Sequence, residues 1–245
     1  MIDAETWVAQ RRRIVRDSAA IGLAVGIYGL SFGAIAVAGG FSVWQTMVLS
    51  LLMFTGGSQF AYIGVVAAGG SAIAAAAAAL LLGARNTLYG VALRPLVPSR
   101  GLARLGAAQL TIDESTAMAL AHEDAADPRP ARTAFWATGL SVFVGWNLAT
   151  LVGALGAASL GDPAIWGLDA MVPAAFLALL WPRLKGRRSV ATALAAAAVA
   201  IVTGLFAPPG LPVLLGGLVA VAAALMPSHR ESSDPSAPEP SQASP

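Results

Sequence analysis

Apolar positions along the chain gather into several runs of 17 or more residues, separated by short polar or glycine-rich breaks, and such runs predict helices long enough for a bilayer. The first run, Ser18 to Gly40, follows a basic arm over residues 1–17 that contains Arg11-Arg12-Arg13 and Arg16. A basic start before an apolar run also describes a signal peptide, but this run is too long and further spans follow, so an uncleaved helix is expected. The second covers about Trp44–Ala68 and is interrupted by Gly56-Gly57; Gly69-Gly70-Ser71 then turns the chain into a third, about Ala72–Leu93. Later runs lie at Thr133–Leu160, Gly167–Trp181, Ser189–Phe206 and Leu211–Met226, with Pro173 placed to kink the one that holds it. Gly22, Gly26, Gly29 and Gly33 form small-xxx-small pairs in the first span, which allow close helix contact or a local break at Gly33. Residues 227–245 are mostly Ser and Pro and are expected to be a disordered tail.

The stretch from Arg94 to Arg132 breaks this pattern. Leu102–Ala121 reads as helical but has a polar centre, Gln109 to Thr116, with Gln109, Asp113 and Thr116 on one face. If it crosses the membrane, both termini share the cytoplasmic side and Arg94, Arg100 and Arg104 lie outside. If it does not, the N-terminus is outside. The positive-inside rule does not separate the two, although both put the Arg183–Arg188 loop and the tail inside.

Composition settles the class. Apolar residues make up 57% of the chain, charged residues 11%, and mean hydropathy is +0.71, whereas soluble domains carry about 25% charged residues. The expected fold is all-α: a polytopic membrane protein of about 7–8 spanning or half-spanning helices with a broken second helix, occupying 18–226. Long runs rather than short alternating ones argue against a barrel. The basic residues cluster at segment ends, which sets orientation and gives no sign of nucleic-acid binding. There is no cysteine, and His122 and His229 both sit in polar segments, so no metal ligand set, nucleophile pair or cofactor site is expected. No P-loop pattern appears, so the chain shows no means of using ATP.

Three polar groups stand inside apolar surroundings, and each has two readings. Gly56-Gly57-Ser58-Gln59 is either a break whose following half-helix, capped by Ser58, points free N–H groups at an anion, or a close-packing Gly pair with Gln59 bonded to a neighbour. Arg85 lies about 20 Å along its span, and a charge there costs at least ~2.5 kcal/mol unless paired, solvated or used. With Asn86 and Tyr89 it forms either a carboxylate fork or an internal ion pair; otherwise it snorkels to an interface. Asp113 and Glu114 either accept an ammonium group, pair with Arg85 or carry a proton, or lie solvated on a surface helix. Asn147 is expected to bond between helices, and Asp169 to lie at the interface or cap its span.

In order, Gly29-x-x-x-Gly33, Gly57-Ser58-Gln59-Phe60-Ala61, Ala84-Arg85-x-x-Leu88-Tyr89, Thr111-x-Asp113-Glu114-Ser115 and Leu168-Asp169-Ala170-x-x-Pro173-Ala174-x-Phe176-Leu177 resemble the AzlC-type branched-chain amino acid permease family over roughly residues 15–226. Departures from the family pattern occur at Gly83, Asn86 and Thr116, and the proline usual early in the first span is absent. The resemblance implies a multi-pass exporter of hydrophobic amino acids in the cytoplasmic membrane, driven by an ion gradient, with a small AzlD-type four-helix protein as partner. It points to Ser58, Gln59, Arg85, Asp113 and Glu114 as pathway residues, with Phe32, Phe60 and Phe176 around the substrate side chain.

Overall fold

The computed structural model describes residues 4–98, 100–124, 126–159, 174, 177, 180–181, 184–208 and 210–226. The segment Gly167–Trp181, with Asp169, Pro173 and Phe176, and the 227–245 tail therefore fall outside the described residues or almost so.

Two long helices form the frame, α1 (Ala4–Ala38) and α8 (Arg129–Ser159). They run parallel, because Gly22 meets Ser141, Gly26 meets Gly145, Gly29 meets Trp146 and Gly33 meets Thr150, both numbers rising together. Glycine on both helices lets the backbones touch, and a 2.8 Å hydroxyl bond between Ser18 and Thr138 joins them. Gly33 is thus a close-approach position and not a helix break; α1 passes through it uninterrupted. The basic arm is part of α1, and its Trp7 lies under the Arg129 guanidinium, 5.2 Å from the ring centroid. Arg129 also forks onto Asp127 at 2.8–3.1 Å, which holds the Asp127 carboxyl below its usual pKa. The lowered folded value means this contact contributes fully above the ordinary carboxylate pKa of 3.8 and is lost as pH falls through the lowered one. Asp127→Asn is expected to remove that acid-side step from an unfolding titration.

The interrupted second span is a hairpin. α2 (Val43–Leu52) starts from a Ser42–Gln45 capping box and descends antiparallel to α8: Ser50 bonds Thr150 at 3.3 Å, and Phe54 stacks edge-on to Phe143. The chain turns at Met53–Gly56, where Gly56 takes φ +61°, a region open to glycine. α3 (Gly57–Ala67) then climbs back beside α1: Phe60 meets Phe32, and Ala67 Cβ sits 3.1 Å from where a Gly39 side chain would begin. Each arm is about 15 Å long, half a bilayer core.

Next, α4 (Ala72–Gly83) and α5 (Arg85–Ala92) make one apolar length of 21 residues that runs back down, with Ala75 and Ala78 packed on Ala61 and Val65. A second hairpin follows from the opposite end. α6 (Gly101–Gln109) rises with α8, Gly106 beside Trp136 and Leu110 against Gly139. The chain turns at Leu110–Ile112, and α7 (Asp113–Ala121) descends to the link that enters α8. Leu102–Ala121 therefore neither crosses as one helix nor lies flat on a surface.

Finally α9 (Arg187–Gly204) and α10 (Leu211–Leu225) pair antiparallel, Gly216 against Ala196 and Ala200, and α10 joins α4 at Gly210–Ala74 and Gly217–Leu81. Arg188 donates to the carbonyls of Ala223 and Met226 at 2.6 and 2.7 Å, a cation closing a helix C-terminus. Arg188→Ala should lower the unfolding temperature of the purified protein modestly, by an amount matching about 1 kcal/mol.

Among the described residues, four helices are long and apolar enough to cross a membrane: Glu5–Ala38, Ala72–Ala92, Arg129–Ser159 and Arg187–Gly204. Every described Lys and Arg except Arg85 sits at the end where α1 and α8 begin, including Arg94, Arg100 and Arg104. The opposite turns, 39–42, 68–71 and 205–208, hold no charge.

Candidate functional site

The two hairpin tips meet at mid-height, and Arg85 lies between them. Its Nη2 is 3.3 Å from Asp113 Oδ2 on the second hairpin and 3.5 Å from the Thr55 carbonyl on the first. The guanidinium also lies 3.8 Å from where a side chain on Gly57 would begin, so it reaches the start of α3. The Arg85 and Asp113 side chains are 35% and 25% exposed, partly sheltered and facing one another. The snorkelling reading of Arg85 thus gives way to an internal ion pair.

Local sequence explains each tip. At the first, α2 closes with the Met53 N–H on the Leu49 carbonyl, and buried Gln59 returns to the same end, donating to Leu49 at 3.2 Å and Ser50 at 3.5 Å. Gln109 from the second hairpin donates to Leu51 at 2.8 Å. Ser58 does not cap α3: the capping position is Gly56, which has no side chain, and the Ser58 hydroxyl is buried beside Gly83 with no partner. At the second tip Ser115 is the organiser, accepting from the Ile112 N–H at 3.1 Å and donating to the Leu110 carbonyl at 2.6 Å.

Two half-helices, α3 and α7, start at this level, and each leaves its first N–H groups without intrahelical acceptors, so the place is electropositive. Asp113 answers the second; the first turn of α3 holds no acidic residue. Around them lie buried side-chain atoms with no hydrogen-bond partner: Thr55 Oγ1, Ser58 Oγ, Arg85 Nε, Asn86 Oδ1 and Thr116 Oγ1, with Gln59 Oε1, Trp146 Nε1 and Asn147 Oδ1 behind them. Stranded polar atoms in a bundle interior are costly, and their concentration at one level marks a place for water or a polar ligand.

Of the residues singled out from sequence, Ser58, Arg85, Asn86 and Asp113 come together here. Glu114 is half-buried in the first turn of α7, and Tyr89 is half-buried one turn below Arg85. Phe60 is buried in an aromatic cluster, edge-on to Phe32 and Trp146. Asn147 bonds the Phe143 carbonyl of its own helix at 2.8 Å instead of bridging helices. Sequence reasoning missed Thr55, whose carbonyl matters rather than its side chain, and Trp146, which nothing in an apolar run distinguishes. A large groove runs along α9 and α10, lined by Thr192, Ala196, Gly216 and Ala220, away from these charges. It is open and apolar, a lipid-facing seam by composition.

The AzlC protein family profile matches residues 20–160. The chain is also similar to the inner membrane protein YgaZ of Escherichia coli (strain K12), 31% identical over 211 residues, covering 83% of this chain and 84% of that protein. No solved structure matches.

Proposed function

The chain belongs to the AzlC family and is a membrane transport protein, and from that premise and the paired hairpin tips we propose that it exports hydrophobic amino acids, branched-chain ones foremost. The observation that carries this reading is the Arg85–Asp113 pair set among unpartnered buried polar atoms where two half-helices begin. A zwitterion fits such a place. Its carboxylate replaces Asp113 on the Arg85 fork, supported by the start of α3 and the Ser58 hydroxyl; its ammonium takes the Asp113 carboxylate. Both charges of the protein keep a counter-ion throughout, so the exchange strands neither in the bundle. Apolar surface near Phe60 and Trp146 receives the side chain.

The end that holds the basic residues is cytoplasmic under the positive-inside rule, which places both hairpin entrances and orients the protein with its N-terminus inside. Export draws on the proton gradient, with Asp113 or Glu114 as the acceptor, and the AzlD-type protein works beside this chain.

Counterflow of labelled leucine in proteoliposomes, with and without the partner, tests the reading. Saturable flux inhibited by free leucine, but about tenfold less by its methyl ester or by a carboxylic acid lacking the amine, is expected, since each analogue loses one charged contact. Flux that rises linearly with concentration would mark a passive pore and end the proposal.

A further inference from the structure

The two hairpins touch through a contact that the ion pair does not explain. Gln109, the last residue of α6, donates its amide to the Leu51 carbonyl at 2.8 Å, next to the last residue of α2. These are the ends of the two half-helices that approach from opposite sides. The α6 arm is shallowly seated: it meets α8 at Gly106 and Trp136, among its residues only Ala107 is buried, no side chain caps its start, and it departs from Gly101 at φ +72°. Its hairpin mate α7 is anchored by buried Ser115, Thr116 and Ala119. We infer that Gln109 is a positioning residue that latches α6 across the tips, and that its release lets α6 swing about Gly101 and open the ion-pair site toward the basic end of the bundle. This rests on the tips being the transport site.

The chemistry suits a latch. The Leu51 carbonyl lies in the last turn of α2 and has no intrahelical partner, so water replaces the amide when the arm leaves. A neutral hydrogen bond is weak enough to break in each cycle, where an ion pair in the same place would hold. Access from this end then differs from access past α2 and α3, where Ser50 bonds Thr150 of α8 and Ala61 and Val65 pack on Ala75 and Ala78 of α4.

The chain has no native cysteine, so single-cysteine reporters need no background removal. Thr116→Cys places a thiol at a position 4% exposed on α7, and Ala75→Cys places one in the α3–α4 contact. Each is combined with Gln109→Leu and labelled by a membrane-impermeant maleimide applied to inside-out vesicles, without amino acid. The Thr116 reporter is expected to react about 2- to 10-fold faster than with Gln109 intact, the range a single net hydrogen bond supports, while the Ala75 reporter stays unchanged. Equal rates at Thr116, or acceleration of both reporters together, would overturn the latch. Because no substrate is present, failure here leaves the amino-acid reading standing, and failure of counterflow leaves this result standing.

Discussion

Arg85→Ala is expected to abolish leucine export by the inserted, folded protein, with a loss of about 30-fold or more, the equivalent of 2–5 kcal/mol for removing one partner of a sheltered charge pair. Two effects add. The substrate carboxylate loses its fork, and Asp113 loses the cation 3.3 Å away that compensates it when the site is empty. Arg85→Lys keeps the charge but replaces a planar fork by a point donor, so partial recovery at raised KM should follow. The double variant Arg85→Gln/Asp113→Asn separates structure from function. It removes both charges together, so the unfolding temperature should recover relative to Arg85→Ala while transport does not. Export by Arg85→Ala at the parent rate would leave the zwitterion exchange without support.

Much of this site was legible in sequence because the membrane makes polar residues conspicuous. Arg85 amid an alanine-rich run needed a partner, and the adjacent acids at 113–114 were the natural candidates. The break at Gly56-Gly57 was legible from the paired glycines, and Gly56 does adopt a backbone that favours glycine. Direction was not legible. Trp44–Ala68 has the length and hydropathy of one crossing, and nothing local distinguishes a helix that continues from one that turns back. That reversal rests on Phe60 meeting Phe32 and Ala67 meeting Gly39, pairs 28 residues apart that hydropathy cannot encode. The same limit left Leu102–Ala121 undecided, and with it the sidedness of Arg94, Arg100 and Arg104.

Once both reversals are seen, α1 with its hairpin and α4–α5 with theirs share one plan, run in opposite senses through the bundle. Opposed repeats of this sort carry no shared residues here: the first tip is held by Gln59, the second by Ser115, and one start bears a carboxylate while the other bears none. Physical roles match where side chains do not. In the proposed exchange the asymmetry supplies one cationic and one anionic end for a zwitterion.

The largest structural effect should come from the frame and not from the site. Gly153→Val on α8 would drive carbon into the Leu30 carbonyl of α1, and Gly33→Val would do the same to the Thr150 carbonyl in the other direction. Neither clash meets a side chain that can rotate away; both meet backbone, so the helices must separate. Separation would break the Ser18–Thr138 bond and strip the stack of Phe32, Phe60 and Trp146 that carries α3. The expected result exceeds the about 1–3 kcal/mol usual for overpacking and appears as loss of monodisperse protein on size exclusion. Gly156→Ala is the matching control, because nothing lies within 4 Å of the carbon it adds, and it should purify and melt like the parent. Equal behaviour of Gly153→Val and Gly156→Ala would mean that α1 and α8 do not pack in this parallel register. The hairpins hang from that pair, so their opposed entry into the bundle would lose its support as well.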